Sequence, residues 1–150
     1  RAIVVIGGDI SLEDARKKAV SVLSALKKGN RGSLNYFEAS SAAKEKVLER
    51  KTEQAYIYFG APYNMKVNDP DYYKSRVAAF ILGAGGFGSR LMEEIRVKRG
   101  LAYSAYARTS INRSNSYFFG YLQTKIESQK EAQKTVRDVI AEFVKNGVTQ

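Results

Sequence analysis

Apolar residues recur at helical spacing in four segments of the chain and follow strand-like patterns in four others. The first helical segment begins after Ser11, a residue typical of N-caps, and Asp14 follows three positions later. Its apolar stripe comprises Leu12, Ala15, Ala19, Val22, Leu23 and Leu26. Gly29 predicts its end, and the basic pair Lys27-Lys28 suits the negative end of a helix.

Three further helices are predicted downstream. Asp69-Pro70 opens the second, because proline suits the first helical position, and that helix runs to about Leu82. The third covers residues 90–99 and is stopped by Gly100. The last helix ends before Gly147. Ser128 and Glu131 predict its capping box, and its buried stripe is formed by Ala132, Val136, Val139, Ile140 and Phe143.

The strand-like patterns predict the sheet. Residues 3–6 form an apolar run before the turn at 7–9, and residues 54–60 alternate, with Tyr56 and Tyr58 opposite the face of Ile57. Residues 101–109 and 117–125 predict an antiparallel hairpin joined by a polar loop at 112–115. We therefore expect an α+β fold, a mainly antiparallel sheet with helices packed on one face and the other face open for binding.

Length and composition indicate one ordinary globular domain spanning residues 1–150. The apolar fraction is 44%, and no apolar run is long enough to span a bilayer. The chain begins at Arg1 and enters an apolar run at once, so we expect a fragment of a longer chain. It should be soluble. The absence of cysteine excludes disulfides but leaves the compartment open, whether cytoplasm, periplasm or outside the cell.

The net charge and the absence of histidine and cysteine limit the functions that the chain can have. The net charge of +10 fits an anionic partner such as nucleic acid, or no partner at all. The sequence contains no histidine and no cysteine, which excludes a conventional zinc site and the Ser-His or Cys-His nucleophiles. We predict no metal ligands and no cofactor in this domain, and no hydrolysis by the domain alone.

Gly83, Gly85 and Gly88 match the spacing of a dinucleotide-binding loop. That loop needs a strand before it and an acidic residue about 20 positions later, yet no Asp or Glu stands between Val97 and Ile126. The context instead favours a helix-to-helix turn that needs positive φ angles and close backbone approach.

The longer string GGFGSRLMEEIRVKRGLAYS, residues 85–104, resembles a signature of the pitrilysin/insulinase-like zinc peptidases, which include mitochondrial processing peptidase and many bacterial homologues. The likeness extends in weaker form to the VVIGGD start and to residues 52–55. The chain resembles the C-terminal-type half of such an enzyme. If it is bacterial, the cytoplasm, the periplasm and secretion all stay open.

The resemblance implies that two homologous halves close on a peptide, and that the other half carries zinc in an H-x-x-E-H motif. The expected partners are therefore a zinc-bearing N-terminal domain or catalytic subunit and a peptide substrate. Arg96 and Tyr103 match in identity and spacing the pair that the family extends toward the substrate. A guanidinium and a phenol can donate hydrogen bonds to a scissile carbonyl oxygen as negative charge develops there.

The resemblance also implies substrate-binding positions, which we place at Phe87 and Gly88 in the turn and at Tyr106 and Arg108 in the hairpin. Residues between Val97 and Ile126 carry five cations and no acid, which favours acidic or C-terminal carboxylate groups on a bound peptide. Two alternatives stay open: a zinc-less scaffold or peptide-binding homologue, and an RNA-binding α+β module whose sheet stacks bases. The peptidase hypothesis predicts no nucleic-acid partner.

Overall fold

The computed structural model describes residues 2–27, 29–30 and 32–148, which form two compact units, one ending at Leu34 and one beginning at Asn35. The first unit holds helix α1 (Leu12–Ser24). Ser11 caps it as predicted, because its hydroxyl oxygen accepts a hydrogen bond from the Asp14 amide at 3.1 Å. No residue of α1 is buried: of its predicted apolar stripe, Leu12, Val22 and Leu26 are exposed, and Ala15, Ala19 and Leu23 are of intermediate burial.

Two expectations for the first unit are wrong. Residues 3–6 form no strand and are exposed, because a strand needs a partner for its backbone hydrogen bonds and no described residue of this unit provides one. Helix α1 ends at Ser24 rather than near Gly29, and the Leu26 amide closes the turn by donating to the Leu23 carbonyl at 3.0 Å. Lys28, half of the predicted basic pair, lies outside the described residues.

The second unit consists of a three-stranded sheet and three helices. The strands are β1 (Gln54–Pro62), β2 (Ala102–Ile111) and β3 (Ser116–Lys125), and the helices are α2 (Tyr72–Ala79), α3 (Arg90–Met92) and α4 (Gln129–Asn146). Strand β3 lies in the middle and is antiparallel to both neighbours. The predicted hairpin and the α+β fold class are confirmed.

One face of the sheet carries the core. In the sheet, Leu122 of β3 pairs with Ile57 of β1 and Ala105 of β2, and all three are buried. Helical side chains complete this core: Leu82, Leu91, Met92, Ile95, Ala132, Val136 and Val139. Tyr56, Tyr58 and Tyr121 occupy the opposite face and are exposed. Alternation along the strands therefore determines which face the helices cover.

Helices α2 and α3 each continue into a π-helical turn. Helix α2 is followed by Phe80–Ala84 and helix α3 by Glu93–Val97. The Gly85 amide donates to Phe80 O, and the Lys98 amide to Glu93 O, each at 2.9 Å across five residues. The two predicted helices are therefore confirmed, but the last turn of each has hydrogen bonds that span five residues instead of four.

The helix starts show two differences from the prediction. Helix α2 begins at Tyr72 rather than at Pro70, after a turn in which the Asp69 carboxylate accepts from the Asp71 amide at 2.9 Å. The capping box predicted at Ser128 is wrong, because this residue closes the 3₁₀ turn Ile126–Ser128 with helical backbone angles. A side-chain cap requires extended angles at that position. Gly147, at φ +66°, ends α4 as predicted.

Candidate functional site

The glycine-rich turn between the second helical run and α3 presents Phe87 to solvent. Gly86 and Gly88 adopt φ angles of +64° and +91°, a conformation that other residues rarely accept. Between them, the Phe87 side chain is 71% exposed. Gly83 is buried instead. It packs so closely on strand β2 that an added Cβ would lie 2.8 Å from the Ala107 amide nitrogen. The glycines thus serve a tight turn and close packing, and a helix rather than a strand precedes the turn, unlike in a dinucleotide-binding loop.

A second turn brings Arg96 back beside Tyr103. Arg96 lies in the π-helical turn, and its carbonyl accepts from the Gly100 amide at 3.0 Å. Gly100 has φ +60°, so the chain reverses there and enters β2. The guanidinium carbon of Arg96 lies 4.3 Å from the centroid of the Tyr103 ring. This turn therefore places the two side chains in contact.

Phe87 joins the same group. The guanidinium carbon of Arg96 lies 4.5 Å from the Phe87 ring centroid, so two aromatic rings contact one cation. We call Phe87, Arg96 and Tyr103 the Arg96 cluster. Cation–π contacts of this kind contribute about 0.5–1 kcal/mol each at exposed sites. Because Tyr103 is 80% exposed, its ring and hydroxyl face solvent beside the charged group.

Glu94 forms ion pairs with two neighbouring cations but not with Arg96. Its carboxylate pairs with Lys98 and Arg99. Hydrogen bonds from Lys98 and then from Arg99 lower the pKa of Glu94, and the same contact raises the pKa of Lys98. None of the salt bridges found among the described residues involves Arg96. Its positive charge is therefore available to an anionic or developing-anionic group.

Tyr106 and Arg108 form a separate group on β2. The guanidinium carbon of Arg108 lies 4.8 Å from the Phe119 ring centroid and 5.9 Å from that of Tyr106. We call Tyr106, Arg108 and Phe119 the Arg108 cluster. Over the part of the chain that the structure describes, no ring contact or ion pair joins it to the Arg96 cluster. The six predicted site residues thus divide between two places, with Gly88 at the base of the first.

Sequence reasoning missed a row of tyrosines across the three strands. Tyr58 of β1 pairs with Tyr121 of β3, which pairs with Tyr106 of β2. The ring centroids are 6.1 Å and 6.0 Å apart. Alternation in the sequence placed Tyr58 on the open face, but the row depends on strand register, which the sequence pattern does not determine.

The side chains available in this chain limit its capacity to bind a metal ion. Across residues 2–27, 29–30 and 32–148, no three side chains of the His, Cys, Asp or Glu type are grouped to hold a metal ion, and the sequence supplies no His or Cys. Four acidic side chains line a groove of about 280 Å³ beside α4, namely Glu94, Glu131, Asp138 and Glu142, and Arg99 and Lys134 line it with them. No described helix is long and apolar enough to cross a membrane.

Comparison with known proteins identifies relatives over the whole chain. A family model described as the peptidase M16 inactive domain matches residues 1–150. A Helicobacter pylori protein named non-peptidase homolog YmxG is 44% identical over 150 residues, which are 100% of this chain and 34% of that protein. An uncharacterized zinc protease of Streptomyces coelicolor is 34% identical over 109 residues, which are 73% of this chain and 23% of that protein.

A solved structure shows the same fold. The crystal structure of a peptidase M16 inactive domain from Pseudomonas fluorescens superposes with a TM-score of 0.79 at 36% sequence identity, covering 95% of this chain and 34% of that one. The chain thus spans about a third of the length of its first relatives.

Proposed function

The chain belongs to the peptidase M16 inactive-domain family, and from this premise we propose that it is the peptide-binding half of a pitrilysin-like metallopeptidase whose zinc is held by another domain or subunit. Its partner would be a homologous zinc-bearing half, and a peptide would bind between the two. In this arrangement residues 1–150 act as one domain.

The Arg96 cluster carries this proposal. Peptide hydrolysis places negative charge on the scissile carbonyl oxygen, and a preorganised donor to that oxygen contributes about 3 kcal/mol in comparable sites. The Arg96 guanidinium and the Tyr103 hydroxyl are two such donors. Tyr103 is exposed, Arg96 is half-buried beside it, and no salt bridge of the described residues engages Arg96. Phe87, Gly88, Tyr106 and Arg108 would contact the flanking parts of the peptide.

Zinc does not fit this chain. The family relation implies a metal, but the donors that would hold it are missing here, since the sequence has neither histidine nor cysteine. This half would therefore bind and orient the peptide and donate hydrogen bonds to it. The metal-binding residues would belong to the other half.

The test uses the full-length protein, together with its zinc-bearing subunit if that is a separate chain. We expect Arg96→Gln and Tyr103→Phe each to lower kcat/KM for a peptide by about 10²-fold, because each removes one donor to the developing oxyanion. Zinc content and melting temperature should match the wild type. Activity should also be lost on addition of a chelator.

Matched controls come from α2. Arg76→Gln and Tyr73→Phe make the same chemical changes on exposed side chains outside both clusters. Hydrolysis that survives in the Arg96 and Tyr103 variants at wild-type rate, or falls equally in the α2 variants, would contradict the assigned roles.

A second candidate is favoured by one relative. The Helicobacter pylori protein is 44% identical over the whole chain and is named a non-peptidase homolog. By this hypothesis the protein is a zinc-less scaffold or peptide-binding subunit. Peptide binding without chelator-sensitive hydrolysis, from a full-length sequence lacking H-x-x-E-H, would support it over the peptidase.

A further inference from the structure

The face of the sheet opposite the core is an aromatic surface with a one-sided charge. It carries aromatic rings on all three strands and cations on β2 and β3. We call it the open face; its rings and cations are Tyr56, Tyr58, Tyr106, Arg108, Tyr117, Phe119, Tyr121 and Lys125. Contacts connect neighbouring members, including Tyr117 and Phe119 at 5.6 Å between ring centroids.

The tyrosine row forms the centre of the open face. The rings of Tyr58, Tyr121 and Tyr106 follow one another across β1, β3 and β2, tilted by 32° and 49°. Tyr58 is 74% exposed and Tyr121 44%. A tyrosine combines a large apolar contact area with a hydroxyl donor and loses little side-chain entropy on binding. Such a row suits an extended chain with apolar side chains and unpaired carbonyl groups.

Charge on the open face has one sign. None of the three strands contains Asp or Glu, while Arg108 and Lys125 supply positive charge. Arg108 lies over Phe119 and Tyr106 and takes part in none of the salt bridges formed by the described residues. A cation–π contact does not use the hydrogen-bond donors of a guanidinium, so those of Arg108 can bind a planar carboxylate. The face is complementary to an acidic ligand.

Resting on the function proposed above, we infer that the open face selects acidic peptide segments in which carboxylates flank an aromatic or apolar side chain. The carboxylate binds Arg108, and the apolar side chain lies along the tyrosine row. An extended peptide advances about 3.3 Å per residue, so roughly four residues cross the row. Arg108 and Tyr121 are then specificity-determining residues, distinct from the Arg96 cluster.

A nucleic acid fits this surface less well. Sequence-tolerant binding to a single strand needs a basic groove along the phosphates, and the open face has only two cations, Arg108 and Lys125. RNA is therefore an outcome to be tested rather than the expected ligand.

The experiment measures binding of short fluorescent peptides to the full-length protein, with chelator present so that no peptide is cleaved. Three peptides differ only where glutamate, glutamine or lysine flanks a phenylalanine. We expect the glutamate peptide to bind about tenfold more tightly than the glutamine peptide, and the lysine peptide more weakly still. Arg108→Gln should abolish this preference, and Tyr121→Ala should weaken all three peptides.

Controls separate this inference from the proposed catalytic role. Arg113→Gln removes a cation from the hairpin loop beyond the ends of β2 and β3 and should leave the preference unchanged. Tyr103→Phe should change the rate of hydrolysis and not the order of affinities. Equal affinity for all three peptides, with hydrolysis and its Arg96 dependence intact, would overturn the inference and leave the proposed function standing.

RNA provides the other overturning outcome. If a labelled oligouridylate bound more tightly than the glutamate peptide, with a steep salt dependence that Arg108→Gln reduces, the open face would be a nucleic-acid surface. Peptide preference as predicted, with weak oligonucleotide binding, would assign the face to acidic peptides.

Discussion

Phe87 contacts the Arg96 side chain. An arginine side chain has several rotatable bonds, and contacts with the Phe87 and Tyr103 rings restrict its guanidinium. We expect Phe87→Leu in the full-length protein to lower kcat about two- to fivefold, because one cation–π contact is lost, in addition to any rise in KM from a lost peptide contact. Phe87→Tyr keeps the ring and should restore kcat. A Phe87→Leu effect confined to KM would show that Phe87 does not position Arg96.

Glu94 links the stability of this turn to pH. Its pairs with Lys98 and Arg99 lower its pKa, so they stabilise the fold at pH values above the ordinary carboxyl pKa of 4.5. That stabilisation is lost as pH falls through the lower pKa of the folded state. Glu94→Gln should therefore lower the melting temperature at pH 7, and the difference from wild type should shrink below pH 4.5. Thermal unfolding across this range measures it.

Glu142→Gln is the matched control for that series. Glu142 lines the same groove but takes part in no salt bridge of the described residues. Its removal should leave the melting temperature nearly unchanged at pH 7. A Glu94 variant as stable as the Glu142 variant at neutral pH would contradict the assigned ion pairs.

Elements with a clear local pattern could be predicted from the sequence. Alternation gave the strand around Ile57 with its two faces, and the polar loop at 112–115 gave the hairpin. The π-helical turns could not be predicted, because they accompany tertiary packing, such as that of Gly83 on Ala107. The prediction of a strand at residues 3–6 was wrong for the opposite reason. The local pattern favours a strand, but no other strand pairs with these residues in the described part of the chain.

Gly83 tests that tertiary packing. An added Cβ would lie 2.9 Å from both the Ala107 Cβ and a methyl group of Leu91, in a region where helix and sheet cannot easily separate. We expect Gly83→Ala to destabilise the protein by about 1–3 kcal/mol, as overpacking usually does. Gly29→Ala meets nothing within 4 Å and should be close to neutral. Chemical denaturation measures the free energy of unfolding of both variants. Equal values would mean that the helical turn around Gly83 can shift away from Ala107 at little cost.

Across the whole molecule, contacts between residues close in sequence could be predicted, and contacts between distant strands could not. Arg96 and Tyr103 are joined by one short turn, so their meeting followed from the helix stop at Gly100. The tyrosine row joins Tyr58 to Tyr121 across a long stretch of chain, and only the register of β1 against β3 creates it. A surface assembled from distant strands therefore cannot be predicted from the sequence pattern alone, even when each strand is predicted correctly.

Burial is distributed unevenly over the molecule, and stability should follow it. Leu91, Ile95 and Leu122 are at most 1% exposed, whereas no residue of α1 is buried. Hydrogen bonds without buried side chains above them open readily. In hydrogen–deuterium exchange of the 150-residue chain, we expect the α1 amides to exchange within the earliest time points and those around Leu122 in β3 to exchange last. Equal protection of α1 and β3 would show that the apolar stripe of α1 is covered in solution.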